Sequence, residues 1–144
     1  MVHHRREART LALQALCQLD VQGADSLDDL TDFLNESATD PAVILYAGQL
    51  VRRTYERRRR YDELIARVAL HWEIERMPIT DRNIMRMALC EMLDQDEPPA
   101  KVAIDEAIEL AKIFGTAESP QFVNGVLDAV LRSTAGSHGD VVPP

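Results

Sequence analysis

Thr80-Asp81-Arg82-Asn83-Ile84-Met85-Arg86-Met87-Ala88-Leu89-Cys90-Glu91-Met92-Leu93 is the stretch that decides the fold. Thr80-Asp81 reads as a helix cap, and from Ile84 to Leu93 apolar residues lie most of the way round the helical wheel. A helix of that kind has to be enclosed by other helices, so it is expected to be the central one of a compact all-helical domain. Arg86 and Glu91 are out of place on it. A charge inside an apolar helix needs a partner, and a structural ion pair or capping hydrogen bond is the expected role. Asp81, at the helix start, is expected to be exposed, either contacting a basic partner or satisfying the helix dipole.

Outward from that helix, almost every segment reads as helix. Residues 6 to 20 carry Ala8, Leu11, Ala12, Ala15 and Leu19 along one side, and Gly23 stops them. Ser26-Leu27-Asp28-Asp29 fits a capping box for a short second helix. Asp40-Pro41 reads as N-cap and first-turn proline of a long third helix to Tyr55 or beyond. A fourth restarts near Tyr61, with Leu64, Ile65, Val68 and Ala69 inward, and ends around Trp72. Residues 73 to 79 form a connector closed by Pro78. Downstream, Glu97-Pro98-Pro99 breaks the chain before a sixth helix from Lys101 to Phe114, with Gly115 as its C′ stop. Ser119-Pro120 opens a seventh, from Pro120 to about Arg132. The expectation is one domain over residues 1–135 and a disordered tail over 136–144.

The net charge is −8, yet the charges are segregated. Nine arginines fall in two places: Arg5, Arg6 and Arg9, then Arg52, Arg53 and Arg57 to Arg60. Residues 20 to 40 hold seven acids and no base. A small basic face on an acidic body suits selective binding of RNA. Arg6, Arg9, Leu13 and Cys17 recur at helical spacing along the edge of the first helix, which suggests phosphate contacts flanked by side chains facing a base or a partner. Phe122 and Asn124 lie off the apolar arc of Val123, Val126, Leu127 and Val130, so Phe122 is expected to offer a face for stacking. The run Arg57 to Arg60 spans more than one helix face and is expected to pair with the acidic second helix.

No catalytic set assembles. There is no glycine-rich phosphate loop, no Ser/His/Asp set and no Cys/His metal spacing, so no enzyme, metal or cofactor is expected. No signal peptide or membrane span is visible, and Cys17 and Cys90 read as buried reduced thiols of a cytoplasmic protein.

Four pieces, Arg5-Arg6-Glu7-Ala8-Arg9 with Ala12 to Leu16, Asp81 to Glu91, Val102 to Lys112, and Phe122 to Asp128, resemble the NusB family of transcription antitermination factors in order and spacing. The resemblance implies about seven helices in two three-helix groups packed roughly perpendicular. It implies binding of boxA RNA together with ribosomal protein NusE, and entry into the RNA polymerase antitermination complex on ribosomal RNA transcripts. Carried over by position, Arg5, Arg6 and Arg9 resemble the family's basic RNA contacts, with Leu13 beside them. Glu118 and Phe122 resemble its RNA-side residues at the last helix, while Asn124, read from the residue alone, is expected either to read a base edge or to cap the helix turn. Cys17, Asp81 and Arg82 fall in the partner-binding set. Cys17 and Cys90 stand where the family usually has tyrosine, and Asp105 where it usually has asparagine. The resemblance also allows a homodimer that hides the RNA face. Two other readings are the N-terminal domain of an RNA cytosine methyltransferase, if the chain is a fragment, and a structural helical protein without RNA binding.

Overall fold

The computed structural model describes the backbone of residues 2–137 and the side chains of residues 4–134. Those residues form seven α-helices and two short 3-10 turns, with no strand among them. No helix of the described residues is long and apolar enough to cross a membrane. Two compact units divide between Arg57 and Arg58.

In the first unit, α1 (Val2–Gln22) starts earlier than its periodicity suggests and ends where Gly23 adopts φ 89°. That left-handed turn is open to glycine at no steric cost, and it explains the stop. The expected capping box at Ser26 does not form. A 3-10 turn occupies Ala24–Asp29, and the Ser26 hydroxyl donates back to the Gly23 carbonyl at 3.0 Å. α2 (Leu30–Ser37) follows without a side-chain cap. α3 (Pro41–Glu56) begins as expected: Asp40 Oδ1 accepts from the Ala42 amide at 2.9 Å, and Pro41 takes the first position. α1 and α2 both pack on α3. The core between them holds Leu11, Ala12, Ala15, Leu16 and Leu19 with Leu34, Val43, Ala47, Leu50 and Val51.

The second unit contains α4 (Arg58–Val68), a 3-10 turn at Ile74–Arg76, α5 (Ile79–Leu93), α6 (Ala100–Phe114) and α7 (Ser119–Ser137). α5 touches α4, α6 and α7, and every residue from Asn83 to Glu91 is buried, so the enclosed central helix is found. Its cap differs from expectation. Pro78 holds the N-cap position with no side-chain hydrogen bond, and Asp81 falls inside the first turn. α7 runs through residues 136 and 137, which were expected to begin a tail; the rest of that tail, residues 138–144, lies outside the described residues.

Gly115 ends α6 with φ −95°, ordinary extended backbone, so a left-handed C′ conformation is not its role. A Cβ there would meet Ser119 at 2.5 Å. Ser119 cannot retreat, because its Oγ accepts from the Thr116 amide at 2.9 Å and ties the turn to the start of α7.

Two polar links pin α4 to α5. Arg86 Nε and Nη2 each donate to Asp62 at 2.7 Å, a two-pronged pair nearly out of water on the arginine side. Tyr61, fully buried, donates from its hydroxyl to Asp94, which also pairs with Arg60 at 3.0 Å. The partner found for Arg60 is therefore Asp94 and not the acidic second helix. Burial, then the hydrogen bond to Asp94, raises the Tyr61 phenol well above its ordinary range.

Removing Asp62 leaves the Arg86 guanidinium buried without its counter-charge. Asp62→Ala is expected to cost about 3 kcal/mol in urea unfolding, and Asp62→Leu with Arg86→Met to recover most of that. A cost under about 1 kcal/mol for Asp62→Ala contradicts the pinning role. The raised Tyr61 phenol sets an alkaline limit. Its contribution is intact while the unfolded-state phenol stays protonated and is lost as pH rises above about 10. Unfolding midpoints between pH 9 and 11.5 should fall in the natural chain more steeply than in Tyr61→Phe, and equal slopes would contradict it.

Candidate nucleic-acid interface

The first unit presents a basic edge at the start of α1. Helical continuation to Val2 puts Arg5 and Arg6 inside the helix. The Arg5 guanidinium lies 5.2 Å from the centre of the Tyr46 ring on α3, a cation–π contact that holds the charge in place. His4 Nε2 meets Asp40 Oδ2 at 2.8 Å and ties the same helix end to the start of α3. Arg6 is exposed.

Farther along α1 the expected contacts turn inward. Arg9 is 4% exposed and Leu13 2% exposed. Arg9, Leu13 and Leu16 share one line at helical spacing and all three are buried, so the buried arc of α1 is wider than its main apolar stripe. Leu13 is a core residue and offers no surface to RNA. Arg9 is a buried arginine and not an open phosphate contact. Cys17 is half-buried.

The second unit carries a cleft of about 390 Å³, lined by Trp72, Arg76, Met77, Pro78, Asp81, Thr116, Glu118, Ser119 and Phe122. Three elements build it: the connector before α5, the first turn of α5 and the α6–α7 turn. Phe122 is half-buried, and the expected open ring is instead packed against Trp72, with centroids 5.9 Å apart and planes at 66°. Glu118 is exposed at the lip, whereas Asn124 is exposed on α7 but does not line the cleft. Arg82 Nη1 donates to the Ile74 carbonyl at 3.0 Å and so braces the connector that carries Trp72.

Asp81 is the sharpest departure from expectation. It is 4% exposed, not open, and its Oδ1 is buried with no hydrogen-bond partner. Its burial follows from the helix starting at Ile79, which turns position 81 toward the cleft wall. Trp72, the only tryptophan of the chain, reads in the sequence as the end of a helix but stands in the connector after α4. Among the described residues, no group of three or more His, Cys, Asp or Glu could hold a metal ion.

A profile of the NusB family matches residues 6–132, almost the full described length. The chain belongs to the NusB family. It is 41% identical over 148 residues to the transcription antitermination protein NusB of Symbiobacterium thermophilum, with 94% of each chain covered. It is 45% identical over 126 residues to the NusB of Streptomyces avermitilis, covering 85% of this chain and 88% of that one. The fold matches T. maritima NusB with a TM-score of 0.77 at 35% identity over 89% of this chain and 90% of that one. It also matches, at TM-score 0.82 and 23% identity over 92% and 98% of the chains, a structure of the antitermination factors NusB and NusE in complex with double-stranded RNA. Both of these sequence relatives are named transcription antitermination proteins.

Proposed function

We propose that this chain binds boxA RNA of ribosomal RNA transcripts as an antitermination factor, together with ribosomal protein NusE, and joins the RNA polymerase complex in the cytoplasm. The observation that carries the reading is the NusB match across residues 6–132. The NusB–NusE–RNA assembly of a protein with the same fold supports the choice of partners. The chain's own residues supply the means in two places. Arg5 and Arg6 offer guanidiniums to phosphates, and Arg5 is already oriented by Tyr46. Phe122, with Trp72 beside it, offers aromatic surface to an unpaired base. The acidic remainder of the chain, with a net charge of −8, disfavours indiscriminate binding and leaves selectivity to these few contacts.

The test is a titration of labelled single-stranded boxA RNA over a salt series, with and without NusE. Affinity should fall with salt and rise when NusE is added. Changing Arg5 and Arg6 together to alanine should lower the log–log salt slope by about 1.4, at roughly 0.7 per phosphate contact on a single strand. An unchanged slope removes these arginines from the interface, and an absence of binding under every condition contradicts the function.

A further inference from the structure

The first turn of α1 is one that helix energetics alone disfavour. It holds no acid and carries His4 and Arg5, with Arg6 following, at the end where the helix dipole opposes cations. The helix nevertheless extends back to Val2, four residues before its periodicity begins. What the turn lacks in its own sequence, α3 supplies. Asp40 divides its carboxylate between two helices: Oδ1 accepts from the Ala42 amide at 2.9 Å and caps α3, while Oδ2 meets His4 Nε2 at 2.8 Å and brings a negative charge to the start of α1. An Nε2–H donates from the neutral and the protonated ring alike, so the tie does not wait on His4 gaining a charge. Farther along α3, Tyr46 lies under the Arg5 guanidinium at 5.2 Å. A planar guanidinium can rest on a ring and still direct its N–H groups outward. Among the described residues, those of Arg5 make no hydrogen bond or ion pair, whereas Arg86, Arg60 and Arg132 commit theirs to Asp62, Asp94 and Asp128.

We propose that Asp40 and Tyr46 are positioning residues for RNA binding: they fix the first turn of α1 and hold the Arg5 donors ready for a phosphate before RNA arrives. The inference rests on the RNA-binding reading and adds to it two residues of α3 that act through α1 without touching RNA. A flexible basic arm loses backbone and side-chain freedom when it binds, and an arm already ordered avoids that loss. The number of phosphates contacted is the same in either case. Removing the positioning residues therefore lowers affinity while leaving the count of released counterions, and with it the salt slope, unchanged. Removing Arg5 itself lowers both.

Two readouts on the full-length protein test this. Carbon NMR shifts of the His4, Arg5 and Arg6 Cα atoms, taken without RNA, report whether the turn is helical. Titration of labelled single-stranded boxA RNA over a salt series, with NusE present, reports affinity and slope. In the natural chain the three shifts should be helical. Asp40→Ser keeps a capping oxygen for α3 but is too short to reach His4, so it should move those shifts toward coil values while helicity by circular dichroism is retained. Tyr46→Leu should weaken RNA binding about threefold, the scale of one exposed cation–π contact, at an unaltered salt slope. Tyr46→Phe keeps a ring beneath the guanidinium and should restore most of the affinity. In an Arg5→Ala background, Tyr46→Leu should have no further effect, which separates positioning from a packing role. Equal losses with and without Arg5, or coil-like shifts in the natural chain, would overturn the inference. Salt-dependent binding that neither Asp40→Ser nor Tyr46→Leu weakens would overturn it and leave the proposed function standing. No binding by the natural chain would overturn both.

Discussion

Arg86 sits on the most enclosed helix of the chain, and its charge is tolerable there only because Asp62 takes it with two hydrogen bonds of 2.7 Å. Asn83 completes the set, accepting from Arg86 Nη1 at 3.2 Å through its Oδ1 and donating from Nδ2 to the Ile79 carbonyl. This arrangement does more than neutralise a charge. It ties α4 to α5 and closes the first turn of α5, the turn that aims Asp81 at the cleft. α6 and α7 then pack on the remaining faces of α5 and bring the α6–α7 turn, with Phe122, to the other side of that cleft. The position of the candidate site is thus a consequence of how a buried guanidinium is satisfied one helical turn away.

The chemistry of the two candidate surfaces differs in kind. At the start of α1, the Arg5 guanidinium is held by the Tyr46 ring and Arg6 is exposed, which suits a phosphate and carries no sequence information. In the cleft, aromatic rings meet a buried carboxylate, which repels phosphate, so the two surfaces suit different parts of a ligand.

Much of the fold was legible because its signals are local. The all-round apolar pattern of Ile84 to Leu93 identifies an enclosed helix, Asp40-Pro41 names a helix start, and Gly23 names a stop that needs positive φ. Other features depend on packing that no local pattern carries. Gly115 resembles the same kind of stop as Gly23, but its requirement is the close approach of Ser119. Thr80-Asp81 has the composition of a cap, yet Pro78 begins the helix earlier and turns Asp81 inward. Leu13 and Arg9 follow the spacing of an exposed edge, and only the breadth of the buried arc on α1 removes them from it. Trp72 was invisible as a site residue because a connector has no periodicity from which to argue. Its role emerges from the ring of Phe122, fifty positions later.

Whether the start of α1 and the Trp72–Phe122 cleft meet RNA can be read from backbone and indole NMR shifts, recorded as unlabelled single-stranded boxA RNA is added to isotope-labelled protein. The amides of Arg5 and Arg6, the amides around Glu118 to Phe122 and the Trp72 indole N–H are expected to move together with RNA concentration. Shifts confined to the Arg57 to Arg60 run, with the indole unmoved at saturation, would rule both surfaces out.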